Sequence, residues 1–205
     1  MLKRLKNERG DTLIEVLFAV AVFSSVVVGS LAIMNQGTAA SQRSLEISLV
    51  RQQIDAQAET LRFMHDSYVN VYQPGITFDE TDNVTSPAEE WNKMHRDIVT
   101  INNTNTSDFN VGATCPTTHQ NGAFAVDPRN AVYYKAVSSL KLATSFSQLT
   151  YGTGNTFQSA DGIWVEALKS SSGYIDFHIR ACWDSVGLSV PMTLGTIVRL
   201  YEPQG

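Results

Sequence analysis

The sequence predicts an α+β protein in which a long N-terminal helix, membrane-spanning at first and then amphipathic, packs on a C-terminal antiparallel β-sheet. Three observations predict it. Residues 13–34 are 22 positions whose only charge is Glu15, the length of a bilayer-spanning helix. Residues 39–68 contain no proline and repeat apolar side chains at three- and four-residue steps, the period of a helix with one buried face. The last third of the chain alternates apolar and polar positions between turn-forming stretches, the period of half-buried strands. At 205 residues, 43% hydrophobic and 17% charged, the chain is long enough for one ordinary domain beside the apolar segment.

Residues 1–10, "MLKRLKNERG", carry Lys3, Arg4, Lys6 and Arg9 against Glu8. Such a basic flank stays cytoplasmic, so the remainder faces outward. A secretory signal also begins with a basic region, but its apolar core is about 7–15 residues and ends at a small-residue cleavage site. Here the run through residues 11–36 is longer and passes directly into the next helix, with only "SLAIMNQGTAAS" offering a few small residues for conventional cleavage. The chain has 15 Lys and Arg against 20 Asp and Glu, a formal charge of -5; without the leader the balance is 11 against 19, or -8. No basic cluster follows Arg9, which argues against a nucleic-acid or anionic-lipid surface on the exterior region.

Residues 37–72 form the amphipathic half. Ile47, Val50, Ile54, Ala58, Leu61, Met64 and Tyr68 make one apolar stripe, and Arg43, Glu46, Arg51, Gln52, Asp55, Gln57 and Glu59 occupy the other side. The stripe is expected to cover the core of its own domain. If both halves are one helix, about 57 residues at ~1.5 Å each give a rod of roughly 85 Å. Gly29 and Gly37 are its weak points, each costing about 1 kcal/mol relative to alanine, and a bend or local unwinding is expected there. Pro74-Gly75 bounds it.

Residues 73–205 read as a loop-rich, mainly β extracytoplasmic domain. In "SPAEEWNKMH", Ser86 is the N-cap, Pro87 the first helical residue and Glu89 the closing member of a capping box, predicting one short helix. The polar stretch 100–122 has little to bury and reads as an exposed loop. "AVYYKAV", "GIWVEAL", "YIDFHIRACW" and "LGTIVRLY" read as strands, the last three as an antiparallel meander. Alternation places Ile175, Phe177, Ile179, Ala181 and Trp183 on one face, expected to pack on the Ile47–Tyr68 stripe. Cys115 lies in the loop and Cys182 on a strand, both on the exported side, where disulfides persist. A structural Cys115–Cys182 bond is expected over two unpaired buried thiols, since no CxxC spacing suggests redox chemistry.

Little in the chain points to catalysis. His65, His95, His119 and His178 are scattered without an HxH or HExxH spacing, and the cysteines lack zinc spacing. "YGTGNT" has no GxGxxG pattern, and no GxSxG elbow occurs. "DETDN", residues 79–83, could offer oxygen ligands to calcium but lacks the EF-hand pattern and reads as a solvated acidic loop. Asn83, Asn102 and Asn105 begin Asn-x-Ser/Thr sequences, which imply surface positions. No catalytic residue, metal or cofactor is expected.

The segment "RGDTLIEVLFAVAVF" resembles the N-terminal signature of type IV prepilins and pseudopilins: a short basic leader ending in Gly10, a Thr-Leu-Ile-Glu core, and an uninterrupted apolar helix entering an amphipathic one. The resemblance covers residues 4 to about 38 directly; the rest agrees in architecture alone. It implies cleavage by a prepilin peptidase between Gly10 and Asp11, on the cytoplasmic side, which leaves the apolar helix in the mature protein. It also implies N-methylation of the new terminus, here Asp11 where the family often has phenylalanine. With no proline in the apolar run, any local melting of the kind seen in some pili would fall at Ser24, Ser25 or Gly29.

For Glu15 the resemblance implies a salt bridge with the α-amino group of Asp11 in a neighbouring subunit. A local alternative is a capping box, Thr12 to Glu15, that needs no assembly. The expected protein is thus a structural subunit, more in keeping with a minor one, of a type IV pilus-like filament. It would be held first in the cytoplasmic membrane and then in an extracellular filament, with the peptidase, other pilin subunits and the assembly machinery as partners. The alternatives are a pseudopilin of a secretion or DNA-uptake apparatus, and a monomeric membrane-anchored binding module, for which neither Gly10 nor Glu15 is needed.

Overall fold

A computed structural model describes residues 11–73, 86–101, 115–117, 122–135, 140–170 and 172–203. The chain divides into two compact units, Met1–Ser44 and Leu45–Gly205. Helix α1, Asp11–Val71, contributes its first part to one and its remainder to the other. The backbone stays helical through Gly29 and Gly37, so no local unwinding is found at either glycine.

The second unit is built on the apolar stripe of α1. Val50, Ile54, Ala58, Leu61 and Met64 are buried and share one core cluster with the sheet; each large apolar side chain so covered contributes about 1.5–3 kcal/mol. Ile47 is 37% exposed, so the stripe enters the core one turn later than its spacing suggests. Helix α2, Pro87–Ile101, extends well past the expected short helix. Its capping box is present: Ser86 N–H donates to Glu89 Oε2 at 3.0 Å and Glu89 N–H to Ser86 Oγ at 3.3 Å. Two helix-terminal donors are thereby satisfied reciprocally.

Eight strands follow among the described residues: β1 Phe124–Asp127, β2 Val132–Lys135, β3 Leu140–Lys141, β4 Gln148–Tyr151, β5 Phe157–Asp161, β6 Ile163–Lys169, β7 Tyr174–Trp183 and β8 Met192–Tyr201. Five form an antiparallel sheet in the order β2-β1-β6-β7-β8, whose last three strands are the expected meander. A smaller sheet, β3-β5-β4, has β3 parallel to β5 and was not foreseen from the sequence. The alternation in β7 holds: Ile175, Phe177, Ile179, Ala181 and Trp183 are all buried, in the same cluster as the α1 stripe.

Gln57 departs from the expected polar face, being fully buried. The cause lies in β1, which pairs with β6 only at Phe124 and Val165. Val126 N–H, lacking a strand partner on that side, donates instead to Gln57 Oε1 at 3.3 Å. Burying the amide satisfies a backbone donor that would otherwise be orphaned.

Candidate functional site

The first unit presents the feature that most needs a functional account. Every described side chain from Leu13 to Thr38 is exposed, including Leu13 at 65%, Phe18 at 72% and Ile33 at 73%. The helix is long and apolar enough to cross a membrane by length and composition. Three of its hydroxyls are satisfied within the helix: Ser25 Oγ donates to Ala21 O at 2.9 Å, Ser30 Oγ to Val26 O at 2.8 Å and Thr38 Oγ1 to Asn35 O at 2.9 Å. Such back-bonding lets a polar residue sit on an apolar surface without presenting an unpaired donor.

Glu15 is the one charge on that surface and is exposed with its neighbours. A carboxylate in an apolar phase costs about 2.5–3.5 kcal/mol at a helix centre on insertion scales, less near the interface, and is met by a pairing cation. The helix is already formed at Asp11, which places Thr12 inside the first turn instead of on its cap. Gly10 and the rest of the leader lie outside the described residues, as do the side chains of Asp11 and Thr12.

In the second unit the structure joins Cys115 to Cys182, with Cα atoms 5.7 Å apart and both residues buried. Cys182 is the penultimate residue of β7, so the bond ties Cys115 to the C-terminal end of that strand. Beside it, Glu46 of α1 accepts hydrogen bonds from Trp183 Nε1 at 3.1 Å and Ser185 Oγ at 2.6 Å. The helical period puts Glu46 on the solvent side, and the structure turns it toward Trp183 and Ser185 instead. The available signal was an acid one turn before the first buried stripe residue, together with a tryptophan whose ring N–H needs an acceptor when buried.

A cleft of about 280 Å³ is lined by His65, Tyr68, Trp91, His95, Lys169 and Glu202 among others. Its polar groups are engaged with one another. Glu202 receives His95 Nε2 at 2.7 Å and Lys169 Nζ at 2.9 Å, and His65 Nε2 meets Tyr201 O at 2.8 Å. Burial alone would raise the Glu202 pKa, but the bonds from Lys169 and His95 outweigh it and hold the carboxyl below its ordinary value. His178 stands apart on β7, its pKa lowered by burial and by Arg180. Among the described residues no group of three or more His, Cys, Asp or Glu side chains could hold a metal ion. Residues 79–83, Asn102, Asn105 and His119 lie outside the described residues.

No protein-family model, curated protein or solved structure matches the chain. A functional reading therefore rests on the residues themselves.

Proposed function

We propose that this chain is a pilin-like structural subunit, inserted in the cytoplasmic membrane and then assembled into an extracellular filament through residues 13–34. The observation that carries the reading is an apolar helical surface, exposed along its whole length, that contains a single carboxylate near its start. A monomeric anchor needs the apolar surface but gains nothing from the charge.

In this account a prepilin peptidase cuts between Gly10 and Asp11 and releases the basic leader. The cut creates an α-amino group four residues before Glu15, and Glu15 of one subunit neutralises that group in the next. Pairing removes the cost of a lone carboxylate among packed apolar helices, so subunits that have not been processed lack the cation that assembly uses. The globular unit, closed by the Cys115–Cys182 bond, is displayed on the filament surface. A pseudopilin of a secretion or DNA-uptake apparatus would use the same chemistry.

The test is the start of the mature chain. In cells containing the peptidase, N-terminal analysis should find Asp11 as the first residue, and Gly10→Val should block processing while leaving membrane insertion intact. A mature chain beginning beyond Met34 would overturn the reading.

A further inference from the structure

The two edges of the five-stranded sheet are treated differently. At one edge β2 is only four residues long, and Glu90 of α2 accepts its Tyr133 N–H at 3.0 Å. At the other edge lies β8, ten residues long, with no strand beyond it among the described residues. Natural edge strands are blunted by proline, by bulges or by unpaired charges. β8 has no proline between Met192 and Tyr201, and its register with β7 is unbroken over ten pairs. Its one charge, Arg199, is spent on its own sheet. Arg199 Nε and Nη2 each donate to the Asp176 carboxylate at 2.7 Å, and the guanidinium stacks 4.0 Å over the Tyr174 ring.

The phase of the ladder fixes which backbone groups are free. Glu202 N–H donates to Gly173 O, the next position beyond the Tyr174–Tyr201 pair. Even-numbered residues of β8 therefore aim N–H and C=O at β7, and Thr193, Gly195, Ile197, Arg199 and Tyr201 aim theirs outward. These same five residues are the exposed ones, with Ile197 at 59%.

We propose that β8 pairs antiparallel with β8 of a second copy of this chain about a two-fold axis at Ile197, joining two five-stranded sheets into one. The choice of a second copy rests on how the strand matches itself. With Ile197 opposite Ile197, Thr193 meets Tyr201 and Gly195 meets Arg199 on the outer face, while Leu194 meets Leu200 and Thr196 meets Val198 on the inner face. Leucine meets leucine and isoleucine meets isoleucine, and no like charges lie directly opposite.

The outer face also has a place for the long side chain. Gly195 leaves a notch, part of a hollow of about 350 Å³ lined by His178, Arg180, Thr193 and Ile197 among others. A Cβ at Gly195 would come 2.9 Å from Ile179 O, so the position resists filling from within its own chain. In this register Gly195 stands opposite Arg199 of the second copy, so no side chain there obstructs the Arg199 stem while its guanidinium stays on its own Asp176. Half-buried Leu194 and Leu200, which flank the core of one copy, become covered by the other. This pairing is independent of the filament reading, since it uses nothing from residues 1–44.

The test uses the full chain in detergent. Its two cysteines are bonded to each other, so Ile197→Cys adds the one free thiol. Mild oxidation should link two copies through residue 197, whereas Val186→Cys, exposed on the β7–β8 loop, should remain unlinked. Ile197→Lys places two ammonium groups face to face and should convert a two-copy mass in sedimentation to a one-copy mass. A one-copy wild-type mass, a two-copy mass that survives Ile197→Lys, or equal cross-linking at residues 197 and 186 would each overturn the pairing. If Ile197→Lys does not fold, the cross-link decides alone.

Discussion

Replacing both Cys115 and Cys182 by alanine should lower the thermal unfolding midpoint of the globular unit by about 8–16 °C. The bond closes a sequence separation of 67 residues that holds β1 through β6 and most of β7. In the chain-entropy model, opening a loop of that length returns about 4 kcal/mol of conformational freedom to the unfolded chain. For a domain of this size each kcal/mol moves the midpoint by about 2–4 °C. Alanine is the suitable replacement because Cys182 is fully buried, where a serine hydroxyl would add its own desolvation cost. The assay is near-ultraviolet circular dichroism on full chain in detergent, wild type against double variant. The same burial predicts that reductant without denaturant leaves the wild-type bond intact. A midpoint shift below about 3 °C would rule out loop closure as the source of the bond's stabilisation, because the loop would then be closed by other contacts in the unfolded ensemble.

Other consequences follow from particular contacts. Glu46→Ala orphans the Trp183 ring N–H and should destabilise the unit by about 1–3 kcal/mol, with a change in tryptophan fluorescence. Ser86→Ala should cost about 1 kcal/mol and speed amide exchange in the first turn of α2 while leaving β7 unchanged. The Asp176 carboxyl is held below its ordinary value, chiefly by the hydrogen bonds from Arg199. Its stabilising contribution is complete above the unfolded pKa of 3.8 and lost as pH falls through the lower folded value. Denaturant titrations of Asp176→Asn and wild type should therefore differ at neutral pH and converge toward pH 2.

Much of the fold is legible because it follows local pattern. The α1 stripe, the Ser86–Glu89 box and the alternation in β7 each depend on spacing within one element, and each is present. The β3-β5-β4 sheet is less visible, since "SQLTY" and "FQSAD" have little apolar alternation and β3 is two residues long. Gln57 and Glu46 were misplaced for a different reason. Each answers an unpaired donor more than 65 residues away in sequence, Val126 N–H and Trp183 Nε1, which no helical period reveals. The long apolar helix is legible because its signal is an uninterrupted run with one charge. What the sequence could not indicate is the contrast between a β2 edge closed by Glu90 and a β8 edge left open, which only strand order makes apparent.

In the proposed filament Glu15 pairs with a neighbouring subunit's terminal amine. Glu15→Ala removes a charge from an apolar helix, so membrane insertion should become easier and the globular unit should fold unchanged. Among packed helices the same change leaves a cation unpaired, a loss that typically costs about 3–5 kcal/mol. Removing a carboxylate whose role is confined to the first turn of its own helix would cost only about 1 kcal/mol. The decisive measurement is the amount of this chain in sheared surface filaments from cells whose only copy is Glu15→Ala, normalised to its amount in the membrane. A normal membrane level and strong depletion from the filaments are expected; incorporation at the wild-type ratio would rule out the pairing.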